Sequence, residues 1–287
     1  MTDALPAISV MFATIRGWPD ARLPVDATRE QLRRLGGELV VVDGSGRPAP
    51  EANELGEHVR WISRPGESVF QLRLAGYAAC RAEVVAVTED HCEPSADWCE
   101  RNLAAHAAHP EAVAIGGAVE NGTTDHLIDW ATFIVTQAPF VPPLANGPAE
   151  RIAGAATTSY KRSVLHRRPD HGSFGAIELF DAADMRRPGE VLLNDDAIRV
   201  RHHQSMGVRG TTASQFDNGR TIAGFRRQRM RRGDWLRIAG FPVLPLYRSA
   251  RSVRIAWGRN IPRRAILATL PIIAYLHYAQ AAGEVAG

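Results

Sequence analysis

The sequence predicts an α/β fold: a mainly parallel central sheet with helices on both faces, followed by a basic helical C-terminal tail. Three observations point there. Short β-branched runs recur through the first 120 residues at spacings that leave room for a helix between them. Glycines and polar residues punctuate the boundaries of those segments. Arginine is concentrated late in the chain: residues 220–264 hold thirteen Arg and one acid, Asp234. The rest then carries 21 basic and 30 acidic residues, so a mildly acidic body bears a strongly basic tail within a net charge of +3.

Taken in order, residues 8–13 form the first predicted strand. Residues 25–35 have helical spacing and stop at Gly36-Gly37, a C-cap signal. Residues 38–42 are a second strand, ended by Asp43-Gly44-Ser45-Gly46, and residues 59–62 a third. Residues 68–80 read as a helix with Val69, Leu72, Gly76 and Ala79 on one face. Residues 84–88 are a fourth strand, 97–109 a helix and 112–115 a fifth strand. Such βαβ alternation predicts helices over both faces, and right-handed crossovers put the strand ends on one rim.

After Gly117 the alternation loosens. Residues 130–141 are apolar and aromatic until Pro142-Pro143. Residues 153–160 are small and β-prone, 178–186 helical, and 198–202 a strand candidate. The expected division is a domain over 1–210 and a helical tail over 211–287. Residues 265–282 lack formal charge; as a straight helix they would extend about 27 Å, close to the thickness of a bilayer core. Arg259, Arg263 and Arg264 flank them. A membrane span, an interfacial helix and a helix packed on the domain all remain open, with membrane association favoured.

Several function classes lose support. Cys80, Cys92 and Cys99 form no even framework and no CxxC, so reduced thiols are expected. Their spacing with His91 matches no usual zinc pattern. There is no Walker loop and no nucleophile elbow. The start, Met1-Thr2-Asp3-Ala4-Leu5-Pro6, lacks the basic and apolar regions of a signal peptide.

The chemistry gathers at strand ends. Glu89-Asp90-His91 closes the fourth strand, where acidic and imidazole groups suit a divalent cation at the mouth of a nucleotide site. In an extended strand Glu89 and His91 point the same way and Asp90 the other. Glu89 and His91 are therefore the expected metal-facing pair, with an imidazole suiting Mn2+ better than Mg2+. Asp90 is left to contact ribose or hold the loop. Asp43 ends the second strand, either as a turn cap or as an acceptor for the imide N–H of a pyrimidine base. Arg73, on the helix before the metal strand, either pairs with diphosphate oxygens or lies on a solvated face. Of His202-His203, His202 shares a face with Ile198 and Val200 and is the candidate third metal ligand. Glu178 stands among apolar neighbours, and is either a general base, whose pKa such a setting tends to raise, or an exposed acid at a helix N-terminus. Asp195-Asp196 is the rival pair, in what reads as a loop.

Together these pieces resemble glycosyltransferase family 2, with its Rossmann-like GT-A fold, over residues 7–220. The resemblance rests on Glu38-Leu39-Val40-Val41-Val42-Asp43-Gly44-Ser45, Arg73-Leu74-Ala75-Gly76, Glu89-Asp90-His91-Cys92-Glu93-Pro94 through Asp97-Trp98, Gly116-Gly117, the 154–162 segment and Val200-Arg201-His202, in the family's order. It implies a metal-dependent, inverting transferase acting on a nucleoside-diphosphate sugar, a UDP-sugar first. Asp43, Arg73, Glu89 and Asp90 would bind the donor. Glu89, His91 and His202 would hold Mn2+ or Mg2+. Glu178, assigned by position, would be the base, with Trp130 and Thr157 on the acceptor side. This chain departs from the family's Asp-x-Asp by carrying Glu and His in its place.

A glycan or lipid-linked acceptor in cell-envelope polysaccharide synthesis is expected, with the tail docking on the anionic cytoplasmic face of a membrane and a homo-oligomer left open. Nucleic acid is not an expected partner. The rivals are a nucleotidyltransferase, for which the loop after the first strand lacks glycines, and a non-enzymatic membrane- or nucleic-acid-binding protein acting through its arginines.

Overall fold

The computed structural model describes residues 5–168, 185–227, 240–241 and 243–287. The chain divides into two compact units, Met1–Glu120 with Leu144–His202 and Asn121–Pro143 with His203–Gly287.

The first unit holds the sheet. Its parallel part is β1 (Ser9–Thr14), β2 (Glu38–Asp43), β3 (Val59–Ser63) and β4 (Val84–Val87), in the order β3-β2-β1-β4. Every residue of β1 and β2 is buried, so both faces of the sheet's centre are covered, as continuous apolar runs dictate. The helices are α1 (Arg22–Leu35), the short α2 (Ala52–Leu55), α3 (Val69–Ala79) and α4 (Trp98–Ala108). Ser68 and Gln71 fix the start of α3 by a reciprocal capping box. The core joins Met11 and Val87 from the sheet to Leu72 and Tyr77 of α3.

Beyond β4 the sheet turns antiparallel. The order continues β8 (Thr158–Lys161), β6 (Ala112–Asn121), β9 (Val191–His202) and β5 (Cys92–Pro94), and β7 (Gly147–Pro148) pairs with β9. A four-residue helix, α6 (Arg162–Leu165), follows β8. β6 runs well past the four residues read from sequence because Gly116-Gly117 does not end it. A Cβ at Gly116 would meet Ile152, and one at Gly117 would strike the Ile198 carbonyl and Thr157. These glycines permit close strand packing instead of a turn. Likewise Asp195-Asp196, read as a loop, lies inside β9. Pairing of Asn194 with Gly147 holds that stretch extended. The helix expected over 178–186 falls largely outside the described residues.

The second unit is helical: α5 (Leu127–Gln137), a 3-10 turn (Ala138–Phe140), α7 (Gly207–Arg227), α8 (Leu244–Trp257) and α9 (Arg263–Ala286). α9 packs against α7, α5 and α8. Two of its polar side chains are met from α8. His277 bonds Ser252 at 3.0 Å, and Arg248 pairs with Glu284 at 2.9 Å. By length and composition α9 could cross a membrane, although 39% of its most apolar window is buried in the protein.

Candidate active site

Strand register builds the rim. In β1 and β2 Thr14 lies beside Asp43, and in β1 and β4 Met11 lies beside Val87. The β4 strand stops at Val87, and Glu89 begins a tight turn closed by Cys92 N–H on the Glu89 carbonyl at 2.9 Å. Glu89 and His91 therefore converge through that turn, and not by the strand alternation read from sequence. β5 then runs back antiparallel to β9 and places Cys92 opposite His202. That pairing brings a side chain 111 positions away onto the turn.

The carboxylate of Glu89 and the rings of His91 and His202 form one cluster, with a ligand atom from each lying within 4.8 Å of the others. The two Nε2 atoms are 3.0 Å apart, and Glu89 Oε2 is 3.6 Å from His91 and 3.7 Å from His202. Burial alone would raise the Glu89 pKa. Hydrogen bonding from His202 and the adjacent Arg73 guanidinium overcome it and hold the group well below the usual carboxylate range. Arg73 Nη2 bonds Glu89 Oε1 at 2.9 Å, with only 11% of the Arg73 side chain exposed. Of the two readings for Arg73, the solvated face is thus set aside. An ionised carboxylate and two imidazoles at these separations fit one divalent cation, and nitrogen-rich donors suit Mn2+ better than Mg2+.

Asp90 turns away from this cluster. Its Oδ1 accepts from His91 Nδ1 at 2.7 Å and Arg16 Nη2 at 3.0 Å. Its Oδ2 accepts from Thr14 Oγ1 at 2.8 Å and Arg16 Nε at 3.2 Å. Arg16 and Thr14 were not singled out in the sequence. The available signal was their place just past the first strand, on the same rim.

Asp43 is fully buried. Its Oδ1 accepts Ser45 N–H at 2.8 Å, as a turn cap does, while Oδ2 is buried without a hydrogen-bond partner. An acceptor left unpaired in this way is costly unless something donates to it.

Thr157 is fully buried and accepts the Trp98 indole N–H at 3.0 Å. Asp196 is committed to Leu144 N–H and Arg199, and Asp195 to Ala197 N–H. Trp130 belongs to the second unit, on α5, half-buried with its Nε1 bonded to the Thr124 carbonyl. Glu178 lies outside the described residues. Cys92 and Cys99 are buried free thiols. Burial pushes Cys99 up to about 12 and Cys92 well above its ordinary value, so both are neutral.

Residues 25–174 match the family model described as glycosyl transferase family 2. The chain belongs to glycosyl transferase family 2.

Three solved structures share the fold of this family 2 chain, which is GT-A. A mannosyltransferase from Pyrobaculum calidifontis, in complex with GDP-Man and Mn2+, is 16% identical with a TM-score of 0.59, over 98% of this chain and 88% of that one. Glucosyl-3-phosphoglycerate synthase from Mycobacterium tuberculosis, with Mn2+, UDP-glucose and phosphoglyceric acid, is 13% identical with a TM-score of 0.52, over 77% and 79%. GalNAc-T7, with UDP, GalNAc and Mn2+, is 14% identical with a TM-score of 0.51, over 70% of this chain and 44% of its own. No curated protein matches the family 2 chain in sequence.

Proposed function

We propose that this glycosyltransferase moves a sugar, with inversion, from a nucleoside-diphosphate donor to the hydroxyl of a glycan or lipid-linked acceptor. The observation that carries the reading is the Glu89, His91 and His202 cluster at the rim where β4 and β9 end, in a family 2 chain. Solved neighbours that contain Mn2+ with GDP-Man or UDP-glucose support it.

Each chain residue has a distinct task. The unpaired Asp43 Oδ2 accepts the N–H of the donor's base, and a uracil imide matches a lone acceptor. Glu89, His91 and His202 would hold the divalent cation. When bound, the cation supplies positive charge where the leaving diphosphate becomes more negative. Arg73, beside Glu89, adds a second positive charge to that rim. Glu178 takes the proton from the acceptor hydroxyl. The freed oxygen forms a bond to the anomeric carbon as the bond to the diphosphate breaks, and the nucleoside diphosphate leaves with that electron pair.

The second unit supports docking on the inner face of an anionic membrane. It holds fourteen Arg against five acids. It also exposes Tyr247 and Trp257 of α8 and Leu267, Leu270 and Tyr275 of α9. That mixture of cationic and apolar surface is what interfacial helices use.

The test is a thermal-shift panel of nucleotide sugars with and without Mn2+, followed by a transfer assay. One donor should raise the midpoint with Mn2+ present, by mass action on the folded state. Glu178→Gln should keep that shift and lose transfer by at least a hundredfold, since general bases contribute about 10²–10⁴. A panel without any shift overturns the donor reading. Transfer at the wild-type rate in the variant moves the base elsewhere.

A further inference from the structure

Asp90 stands inside the motif that the family uses for metal and donor, yet its oxygens are taken by protein groups. Four hydrogen bonds from Thr14, Arg16 and His91 reach it, and the residue is only 7% exposed. Arg16 meets it as a two-pronged fork, with Nε on one oxygen and Nη2 on the other. A planar guanidinium makes that geometry, and it fixes direction as well as distance.

The consequence runs through His91. An ionised carboxylate only accepts, so His91 Nδ1 carries the proton of that 2.7 Å bond. The lone pair of His91 then lies on Nε2, the atom that faces His202 and Glu89. Ring orientation and tautomer are set together, as carboxylate partners do for imidazole ligands elsewhere. The Arg16 guanidinium and the Thr14 hydroxyl both donate to Asp90, so its oxygens are held as acceptors. Thr14 ends β1 and Arg16 follows it, so the first strand anchors the ligand turn after the fourth.

The geometry points to Arg16 as a positioning residue for the cation site: it locks the Asp90 carboxylate, which holds His91 with Nε2 free to ligate. Asp90 is then the orienting partner of a metal ligand, in place of a group on ribose. The inference rests on the metal-dependent reading above and adds the residues that aim the ligand.

The test uses the full chain without a sugar donor. Mn2+ binding is measured by titration calorimetry, and the visible spectrum of the Co2+-substituted protein is recorded. Asp90→Asn should weaken Mn2+ binding roughly 10–100-fold, the usual cost of losing such a partner. Arg16→Gln should weaken it about tenfold and alter the Co2+ band at saturation, which loss of general stability would not do. Arg16→Lys keeps the charge without the fork and should fall between Arg16→Gln and wild type. It also carries the test if the Gln variant does not fold. Wild-type affinity and an unchanged Co2+ band in the Arg16 variants overturn the positioning role and leave the metal reading intact. Failure of the wild-type chain to take up Mn2+ or Co2+ overturns both.

Discussion

At the scale of single residues, buried polar groups carry the sharpest consequences. His106 of α4 is 5% exposed and bonds Ser159 Oγ at 3.0 Å. Burial, aided by the Lys161 charge, pushes its pKa from 6.5 down to about 4. The folded chain therefore keeps His106 neutral at pH values where the unfolded chain binds a proton. Its contribution is complete above about pH 6.5 and is lost as pH falls toward 4, by roughly 3 kcal/mol. Urea unfolding at pH 7.5 and pH 4.5 should show that loss, and His106→Gln should flatten it. A slope that persists unchanged in the variant assigns it to other groups.

Members of the candidate cluster were legible where residue type and a place at the end of a strand agreed. Glu89 and His91 close a β-branched run, and His202 follows alternating Ile198 and Val200. Arg16 was not legible, because its partner Asp90 is 74 positions away and nothing local marks the pair. The partner of Thr157 was not legible either, because a small polar segment gives no sign that the Trp98 indole donates to it.

Among the elements, the parallel strands were readable and the antiparallel return strands were less so. An aliphatic run like that of residues 39–42 does not occur in β8, whose Thr158, Ser159 and Lys161 are polar and whose burial comes from its neighbours β4 and β6. The strand read over 112–115 continues through the Gly116-Gly117 pair, which lets β6 pass close to Ile152 and Ile198. The helices of the second unit use the same device. Gly219 of α7 lies against the Gln280 carbonyl of α9, and Gly283 of α9 against the Phe216 carbonyl of α7. Alanine would favour either helix locally by about 0.5–1 kcal/mol. Here a new methyl would overlap backbone, which cannot swing aside as a side chain can. Gly283→Ala should therefore destabilise the protein by about 1–3 kcal/mol in a chemical-denaturation experiment. A variant as stable as wild type would show that the two helices do not cross at these glycines.

For the molecule as a whole, charge and apolar exposure concentrate in one unit. Of the exposed large apolar side chains among the described residues, Leu5, Ile15 and Leu74 belong to the first unit and the remainder to the second. Replacing Trp257, Leu267 and Leu270 by Ser in the full chain should release it from phosphatidylglycerol vesicles in a sedimentation assay. The donor-induced thermal shift should survive. Sedimentation at the wild-type level would remove these side chains from any membrane contact. Composition revealed the basic tail, but not that residues from the middle of the chain join it. α5 lies in Asn121–Pro143 and packs on α9, at the far C-terminus. On the ribosome, α5 emerges about ten seconds before α9 at ordinary elongation rates. Until then its apolar side chains have no α9 to cover them, so the nascent chain leaves them exposed throughout that interval.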